Sequence, residues 1–537
     1  MENQLALDNF IEGCNREPMR IEHFKEKFRN RDLYIGKDGT VHVKDPFCPH
    51  CGCRHHTKHG TSEKVTYDII GENNYLPCQR YLCGRCERPY SAYIKNIVIY
   101  DETEIYDLVI EEVNQKIANQ IKTNGNVYQL GTKIFDMLQQ VIFNNIEIDL
   151  SSRAQYKKED ILELMVRNSI STDYLETTRN LMDLTTTFHQ SPSADTVLLY
   201  IGKKKRQDIK VEFDGIFRKL INYLHSHNIL TRPMDIAIDI HDQPYHGKLK
   251  NQDVIKGRKK SGTRYFHKFL TVDSVEQDQR FTFAASHFTQ FDDRFRVFQD
   301  LLSFLTQNRV EIQRLYVDRE FFNTPVINYL VNEEIPFIMP AKREDSLKEI
   351  ANKHWSKGEF VFDHCFYKGH KKKESRHFTV FLIANTDHNP SKPTRKGNEE
   401  FYLFATNIAI KLSDHRASQT KTGNDPDDDG EDRSTLSDYY RKRWGIETDY
   451  RVLEHNFQAK TTSNKFSIRY FNFLSGVALR NLWELSKILF KPLYERLFPK
   501  KTMTAKLWSR VLELFLDAKR LVNGLSSIRS KLLALKG

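Results

Sequence analysis

The stretch DYYRKRWGIETDYRVLE, Asp438 to Glu454, packs arginines, aromatic rings and carboxylates into a few turns of one predicted helix. Tyr440, Arg443, Glu447 and Glu454 follow one another at spacings that stack them along a single face. A solvated, ion-paired face has this composition. So does a site that handles something both anionic and metal-bound. The rest of the chain has to separate the two readings.

Upstream, the chain offers two aspartates at strand ends. MDIAIDI, from Met234, alternates and is rich in β-branched residues, which predicts a strand ending near Asp239. RYFHKFLTVDSV and RFTFAASHFTQ follow as a hairpin pair. DDRFRVFQDLLSFLTQN is an amphipathic helix that turns Phe295, Phe298, Leu301, Leu302 and Leu305 inward. IQRLYVDREFF is a strand ending at Asp318. TPVINYLVNEE is a helix with Thr324 as N-cap and Pro325 as first residue. IPFIMPAKR is a further strand. The predicted order is β, β, β, α, β, α, β, with an aspartate at the end of the first and fourth strands. Lys342 to Leu436 breaks this pattern with strand-like runs between basic loops, a β-rich insertion, before the quoted helix arrives.

Two-metal phosphoryl chemistry needs anionic oxygen ligands on rigid elements, with Mg²⁺ or Mn²⁺ as the fitting hard ions. Asp239, Asp318 and Glu447 meet that need in chain order and element type. Asp242 and Glu454 are rivals for the first and third positions. On this reading Tyr440 and Arg443 bind nucleic-acid phosphates, Arg443 through its planar fork, and Arg319 beside Asp318 is a further phosphate contact. His241 and His246 read as loop histidines rather than bases, because the metals activate the water.

The N-terminal region carries a second metal signal. Six of the eight cysteines lie between Cys48 and Cys86. Cys48 and Cys51 form one C-x2-C knuckle and Cys83 and Cys86 another. A hairpin between them completes a closed S4 site, which favours Zn²⁺. Cys53, Cys78, His50, His55 and His56 are neighbouring alternatives.

Residues 101–230 read mainly as helices. SPSADTVLLYIGKKKRQ has a Ser/Pro start, an apolar stripe and the basic run Lys203 to Arg206. A helix-turn-helix lying in a DNA groove and an ordinary helical bundle both account for it.

The bulk numbers set the frame. The chain has 537 residues, 39% of them hydrophobic and 28% charged, enough for several domains and a large core. Lys and Arg outnumber Asp and Glu by 82 to 71, a net charge of +11, which favours a polyanionic partner. Basic runs recur at Lys203–Arg206, Lys256–Arg264, Lys371–Lys373 and Lys392–Gly397, and only together do they suggest a nucleic-acid path. GNDPDDDGEDRS reads as a solvated acidic loop. No signal peptide is legible at the N-terminus, and the apolar stretch Phe466 to Phe490 contains Arg469, Arg480 and Glu484, a buried helix rather than a membrane span. The expected location is cytoplasmic, associated with the nucleoid. GRKKSGT lacks the lysine of a phosphate-binding loop, and neither G-x-G-x-x-G nor H-E-x-x-H occurs.

This arrangement resembles the DDE transposases of bacterial and archaeal insertion sequences, in particular the group with a Y-x2-R-x3-E-x6-K signature. Tyr440, Arg443 and Glu447 match that signature in YRKRWGIE. Glu454 stands where the family has lysine, and Arg451, one turn after Glu447, is the substitute contact. AIDIHDQPYHGK resembles the family's first-aspartate block and YVDREFF its second. The resemblance covers about Pro233 to Trp483. It implies an α/β fold: an RNase H-like mixed-sheet core with a β-rich insertion, preceded by a zinc ribbon and a helical DNA-binding region. It also implies metal-dependent cleavage at element ends, strand transfer into target DNA, and a homodimer that synapses two ends. Some relatives use a stacked tryptophan; Trp355 lies in the insertion, where core packing is the favoured role. An inactive DNA-binding relative and a nuclease without strand transfer are the competing readings.

The expected organisation is an N-terminal segment 1–100 with the ribbon at about 45–93, a helix-turn-helix-like region 101–230, a first core part 231–345, the insertion 346–435, the catalytic-glutamate helix and its successor 436–490, and a helical tail 491–537.

Overall fold

A computed structural model of the chain describes residues 33–35, 37, 40–44, 46, 48, 51, 53–67, 73–91, 115, 125–185, 191–247, 252–276, 279–366, 376–386, 388, 399–411 and 431–536. His50, Lys371–Lys373, Lys392–Gly397 and most of the acidic loop fall outside them, as does the side chain of Cys78. The chain divides into two compact units, residues 1–133, 179–192 and 510–537 in one and residues 134–178 and 193–509 in the other.

The first unit holds a small sheet of β1 (Leu33–Ile35), β2 (Val41–Val43), β3 (His56–Tyr67), β4 (Asn73–Cys83) and β5 (Pro89–Ser91). Its order is β1-β2-β4-β3, with β5 on β4. The β3–β4 hairpin is the one the cysteine spacing requires. Tyr81, 2% exposed, stacks on Tyr90 at 5.5 Å and meets the edge of His56 at 5.1 Å. These rings give a domain too small for a large apolar core a fixed floor.

The helices α1 (Gly125–Val141), α2 (Lys158–Ser171), α3 (Leu175–Thr185), α4 (Ala194–Lys203) and α5 (Arg206–Ser226) follow. α4 starts as its sequence predicts, with the Ser193 hydroxyl accepting from the Thr196 amide at 3.1 Å.

The second unit is built on one sheet of β6 (Met234–Tyr245), β7 (Ile255–Lys260), β8 (Thr263–Ser274), β9 (Thr282–Phe288), β10 (Ile312–Val317), β11 (Phe337–Pro340), β12 (Val361–His364), β13 (Phe378–Ala384) and β14 (Phe401–Thr406). Between them lie α6 (Arg294–Gln307), α7 (Thr324–Asn332) and α8 (Asp345–Ser356). After the sheet come α9 (Arg433–Arg441), α10 (Trp444–Asn456), α11 (Phe466–Leu489) and α12 (Lys491–Leu497), and then α13 (Ala505–Lys536), most of which belongs to the first unit. The sheet runs β12-β13-β14-β11-β10-β6-β8-β7, with β9 also on β8. β6, β8 and β9 pair antiparallel, and β10 joins β6 and β11 in parallel. That is the RNase H-like order, β9-β8-β6-β10-β11, and it agrees with the expected mixed α/β class. The strands of 346–435 extend the same sheet: β14 pairs antiparallel with β11, and β13 and β12 follow outward.

A cluster of Ala237, Tyr316, Ile338, Phe381, Phe404, Tyr440 and Ile446 ties the central strands to the α9–α10 region. α11 is buried along most of its length, with Leu474, Leu479, Leu482 and Leu485 wholly inside. None of the described helices is long and apolar enough to cross a membrane.

Several local expectations change. β6 does not stop at Asp239; it continues to Tyr245 against β8, and the facing pair Asp242 and Lys268 carries opposite charges 2.8 Å apart. Lys256–Lys260, within one of the basic runs, is part of strand β7, closed onto β8 by the two-residue turn Ser261-Gly262, both at positive φ. α8 was not legible among the strand-like runs. Its Trp355 stacks on Phe401 at 4.8 Å, a packing role. Asn323, not Thr324, caps α7: its side chain accepts from the Val326 amide at 3.1 Å. Phe295 is only half-buried, while Phe304 joins the inward face of α6.

Candidate active site and metal centre

The parallel pairing of β6 with β10 sets Ile238 opposite Val317. Asp239 and Asp318 are the next residues on the two strands, so they sit side by side where β10 ends. Asp318 is locked by local geometry: its side chain accepts from the Glu320 amide at 3.4 Å and caps a short 3₁₀ turn, Arg319–Phe321. The Asp239 carboxylate accepts from the Ile240 amide at 2.9 Å.

The quoted stretch is not one uninterrupted helix. α9 ends at Arg441 and α10 begins at Trp444. Lys442 and Arg443 keep right-handed helical angles, but the amides of Lys442, Arg443, Gly445 and Ile446 all bond to carbonyls three residues back. The tighter winding changes the angular step between the two helices. It sends the adjacent side chains Lys442 and Arg443 to two aspartates on one face of β6. Lys442 reaches Asp235 at 2.6 Å and Arg443 reaches Asp239 at 3.1 Å. Arg443 also reaches Glu447, one turn on, at 3.3 Å. One guanidinium therefore holds the first and third carboxylates together.

Two of the expected phosphate contacts are turned inward in this geometry. Tyr440 is 8% exposed and packs edge-on against Phe404 and Tyr316, with its hydroxyl 3.5 Å from the Val317 carbonyl. Arg443 is 9% exposed, and its fork is spent on carboxylates. Both residues build the site from beneath. A tyrosine and an arginine in a polar-looking stretch read as surface because sequence spacing cannot show which face an abrupt change of winding turns inward. Arg319 and Arg451 are exposed, as phosphate contacts require.

The rivals are engaged elsewhere. Asp242 pairs with Lys268. Glu454 lies 3.7 Å from His241, a buried ring held between Tyr450 and Phe473. Burial pushes that histidine down to about 4, so it stays neutral at physiological pH. His241 is thus an internal strand residue, not a loop histidine.

Electrostatics single out Asp239. Burial raises its carboxyl to about 6; Arg443 and the Ile240 amide pull it down, and the charges of Asp318 and Glu447 push it up again. The three carboxylates therefore feel one another, with a single guanidinium among them. Hard oxygen donors from two strand ends and a helix, with negative charge in excess, fit a divalent cation. A second layer backs Asp239. The Tyr450 hydroxyl lies 2.7 Å from Thr271 Oγ1 and 3.4 Å from the Asp239 carbonyl, and the Thr271 hydroxyl donates to the Asp273 carboxylate at 2.5 Å. Asp235, Lys442 and Tyr450 were missed. Asp235 carried a signal, since it lies four residues before Asp239 on the same strand face.

In the other unit, the four expected cysteines converge. Cys48 and Cys86 sulfurs lie 3.6 Å apart, those of Cys51 and Cys83 3.5 Å. Among the described residues, this is the sole group of three or more histidine, cysteine or carboxylate ligands whose donor atoms all fall within 4.8 Å of one another. Cys83 is lowered to about 6, chiefly because the Cys86 amide donates to its sulfur. The Cys53 amide lowers Cys51, but burial and the neighbouring sulfurs push it up to about 12. Four crowded thiols that cannot all ionise alone match a closed tetrahedral zinc site, where the cation stabilises every thiolate. Cys53 and His55 hydrogen-bond within their own loop, and the His56 ring is engaged with the Arg54 carbonyl.

The mixed sheet carries aspartates at two adjacent strand ends, and a glutamate stands on the following helix. Residues 292–481 match the family described as "Transposase DDE domain", a stretch that contains Asp318 and Glu447 and begins after Asp239. The "Insertion element ISM1 uncharacterized 48.3 kDa protein" of Methanobrevibacter smithii is 24% identical over 108 residues, 20% of this chain and 26% of that protein. The chain thus spans about a quarter of the length of the curated relative it matches. Together with the motifs, these matches support a DDE transposase of insertion sequences. Among solved structures the chain is similar to the piggyBac transposase synaptic complex with hairpin DNA, with a TM-score of 0.38 and 11% identity over 81% of this chain and 82% of that one. A likeness that loose carries no argument.

Proposed function

We propose that this chain cuts double-stranded DNA at the ends of its own element and joins those ends to target DNA, with Asp239, Asp318 and Glu447 holding divalent metal ions. The observation that carries this reading is the Arg443 bridge between Asp239 and Glu447, beside an aspartate at the end of the neighbouring parallel strand.

Bound Mg²⁺ or Mn²⁺ would activate the attacking oxygen and stabilise the leaving one. The chain's own residues prepare the site. The β6–β10 register holds two carboxylates on a rigid floor. Arg443 neutralises part of their mutual repulsion and fixes the rotamers of Asp239 and Glu447. Tyr440 and Tyr450 support the strand ends from below. Arg319 and Arg451, exposed beside Asp318 and Glu447, are placed to meet phosphates. The cysteine quartet holds Zn²⁺ as a structural ion, and a homodimer would bring two ends together. α4 presents Val197 and Ile201 to the protein interior. Of the basic run behind it, Lys204 pairs with Glu212 at 2.5 Å and Arg206 with Asp292 at 3.0 Å. That leaves Lys203 and Lys205 as candidates for any DNA contact by this region.

The test is to incubate the full chain with DNA carrying its element end and Mg²⁺ or Mn²⁺, beside Asp318→Asn and Glu447→Gln. Metal-dependent cleavage should fall by at least about 10²-fold in both variants. Cleavage that survives both substitutions would exclude the named carboxylates. Specific binding without cleavage by the wild type would point to an inactive DNA-binding relative.

A further inference from the structure

The β7–β8 hairpin is a cationic ribbon that the proposed reaction does not use. Lys256, Arg258, Lys259, Lys260 and Arg264 are all exposed, and none forms an ion pair among the described residues. This separates them from Lys204, Arg206 and Lys268, whose charges are met by carboxylates of the same unit. Five unmet cations on two paired strands repel one another, a cost that is relieved when a polyanion arrives.

The ribbon is rigid enough to act as a tool. The Ser261-Gly262 turn has positive φ at both residues, 50° and 77°, the twist a tight hairpin prefers. Gly257 lets β7 lie close over Phe266: a β-carbon there would stand 3.3 Å from the ring. Phe266 itself is 1% exposed, so the ribbon is anchored to the core. The register slips between Lys256 and Lys260, a bulge that raises the local twist.

Its position matters as much as its charge. β6 runs on for six residues past Asp239, and β8 and β7 run beside that extension. A groove lined by Asp242, Lys256–Lys260, Lys268, Arg294 and Glu320 opens at the foot of the ribbon. The Glu320 amide is the one that donates to Asp318. The groove's Glu320 is thus two residues along the chain from the second carboxylate.

We propose that the β7–β8 ribbon enters the major groove of duplex DNA and holds the double helix against the Asp318 end of the site. A two-stranded ribbon fits a groove about 12 Å wide, and its lysines and arginines reach the phosphates on either rim. The proposal rests on the transposase reading for its choice of nucleic acid over an acidic protein.

The experiment measures equilibrium binding of the full chain to a short duplex carrying the element end, across a salt series, together with cleavage of the same duplex. The probe proteins are wild type, Asp318→Asn, the combined variant Lys256→Gln, Arg258→Gln, Lys259→Gln and Lys260→Gln, and a charge-keeping control with Lys256→Arg, Lys259→Arg and Lys260→Arg. Every phosphate that the protein no longer neutralises lowers the slope of log K against log salt by about 0.9, so the four-site glutamine variant should drop by up to about 3.6 in slope while the arginine control keeps it. Asp318→Asn should keep the full slope and lose cleavage. A glutamine variant that melts like wild type yet keeps the wild-type slope overturns the ribbon's role. If wild type binds with the full slope, the glutamine variant loses it and no protein cuts, the ribbon proposal stands and the transposase reading fails. No duplex binding by the wild type overturns both, and leaves an acidic protein surface as the ribbon's partner.

Discussion

Arg443 Nη1 lies 3.1 Å from Asp239 Oδ2, a contact made across the tightened turn between α9 and α10. It joins a strand and a helix that are 204 residues apart in sequence. Because Arg443 also holds Glu447, two of the three carboxylates are tied to one guanidinium before any metal or DNA arrives. Preorganisation of this kind lowers the cost of binding a cation, and it leaves a signature in stability.

The signature is a pH dependence centred on Asp239. Its carboxyl is raised to about 6 in the folded chain, mainly by burial, against an ordinary value near 4 when unfolded. The folded state then binds the proton more tightly than the unfolded state. Stability from this group is present below the unfolded value and is lost as pH rises through about 6. At pH 7 the ionised Asp239 destabilises the fold. Asp239→Asn should therefore be more stable than wild type at pH 7, by about 1–3 kcal/mol, with the difference vanishing near pH 4. Melting curves across that range check it. A variant less stable than wild type at pH 7 would show that the ion pair with Arg443 outweighs burial. Millimolar Mg²⁺ should raise the melting temperature of wild type but not of Asp239→Asn.

Tyr440 separates burial from recognition. Tyr440→Phe removes the hydroxyl's 3.5 Å contact with the Val317 carbonyl and its interaction with Arg443, and should cost about 1 kcal/mol, with DNA affinity unchanged. Tyr440→Ala empties a space among Phe404, Tyr316 and Leu436 and should cost about 3–5 kcal/mol. Chemical denaturation and a DNA titration of both variants decide the matter. A large drop in affinity for Tyr440→Phe with normal stability would restore the phosphate role.

The carboxylates and the cysteines were legible because their signals are local or repeat a simple period. MDIAIDI and IQRLYVD are apolar runs that end in an acid or pass through one, and C-x2-C pairs fix ligand spacing within one turn of chain. What failed was whatever depended on partners far away. β6 passes beyond Asp239 because β8 offers a complementary lysine at Asp242, which no window around Asp239 contains. β7 hid among charges, since a solvent-facing strand with the sequence IKGRKK has no apolar alternation to detect. The break after Arg441 has no proline; ion pairs to Asp235 and Asp239 on another element hold it.

The zinc ligands make a prediction about selectivity. Cys83→Ser should abolish stoichiometric zinc, because the sulfur most readily ionised is removed from a four-thiolate set. Cys53→Ser should keep it, since the Cys53 sulfur accepts from the His55 amide of its own loop at 3.4 Å and stands outside the quartet. Metal content after gel filtration, and release of zinc on thiol modification, distinguish the two. Zinc retained by Cys83→Ser and lost by Cys53→Ser would reassign the fourth ligand.

The deepest ion pair tests how the α10–α11 region is held. Arg480, 2% exposed, reaches Asp449 at 2.8 Å, with Arg280 3.6 Å from the same oxygen. Burial raises the Asp449 carboxyl, and the two arginines restrain that rise. Arg480→Met leaves Asp449 buried with one distant partner and should cost about 3–5 kcal/mol. Adding Asp449→Leu removes the stranded charge, so the double variant should recover most of that stability although it carries more changes. The pair lies one residue from Tyr450, which supports the Asp239 carbonyl, so the single variant should also lower cleavage and the double variant should restore it. Denaturant midpoints of the two single variants and the double variant complete the cycle. A double variant as unstable as the sum of the singles would mean that packing around α11, not charge, sets the cost.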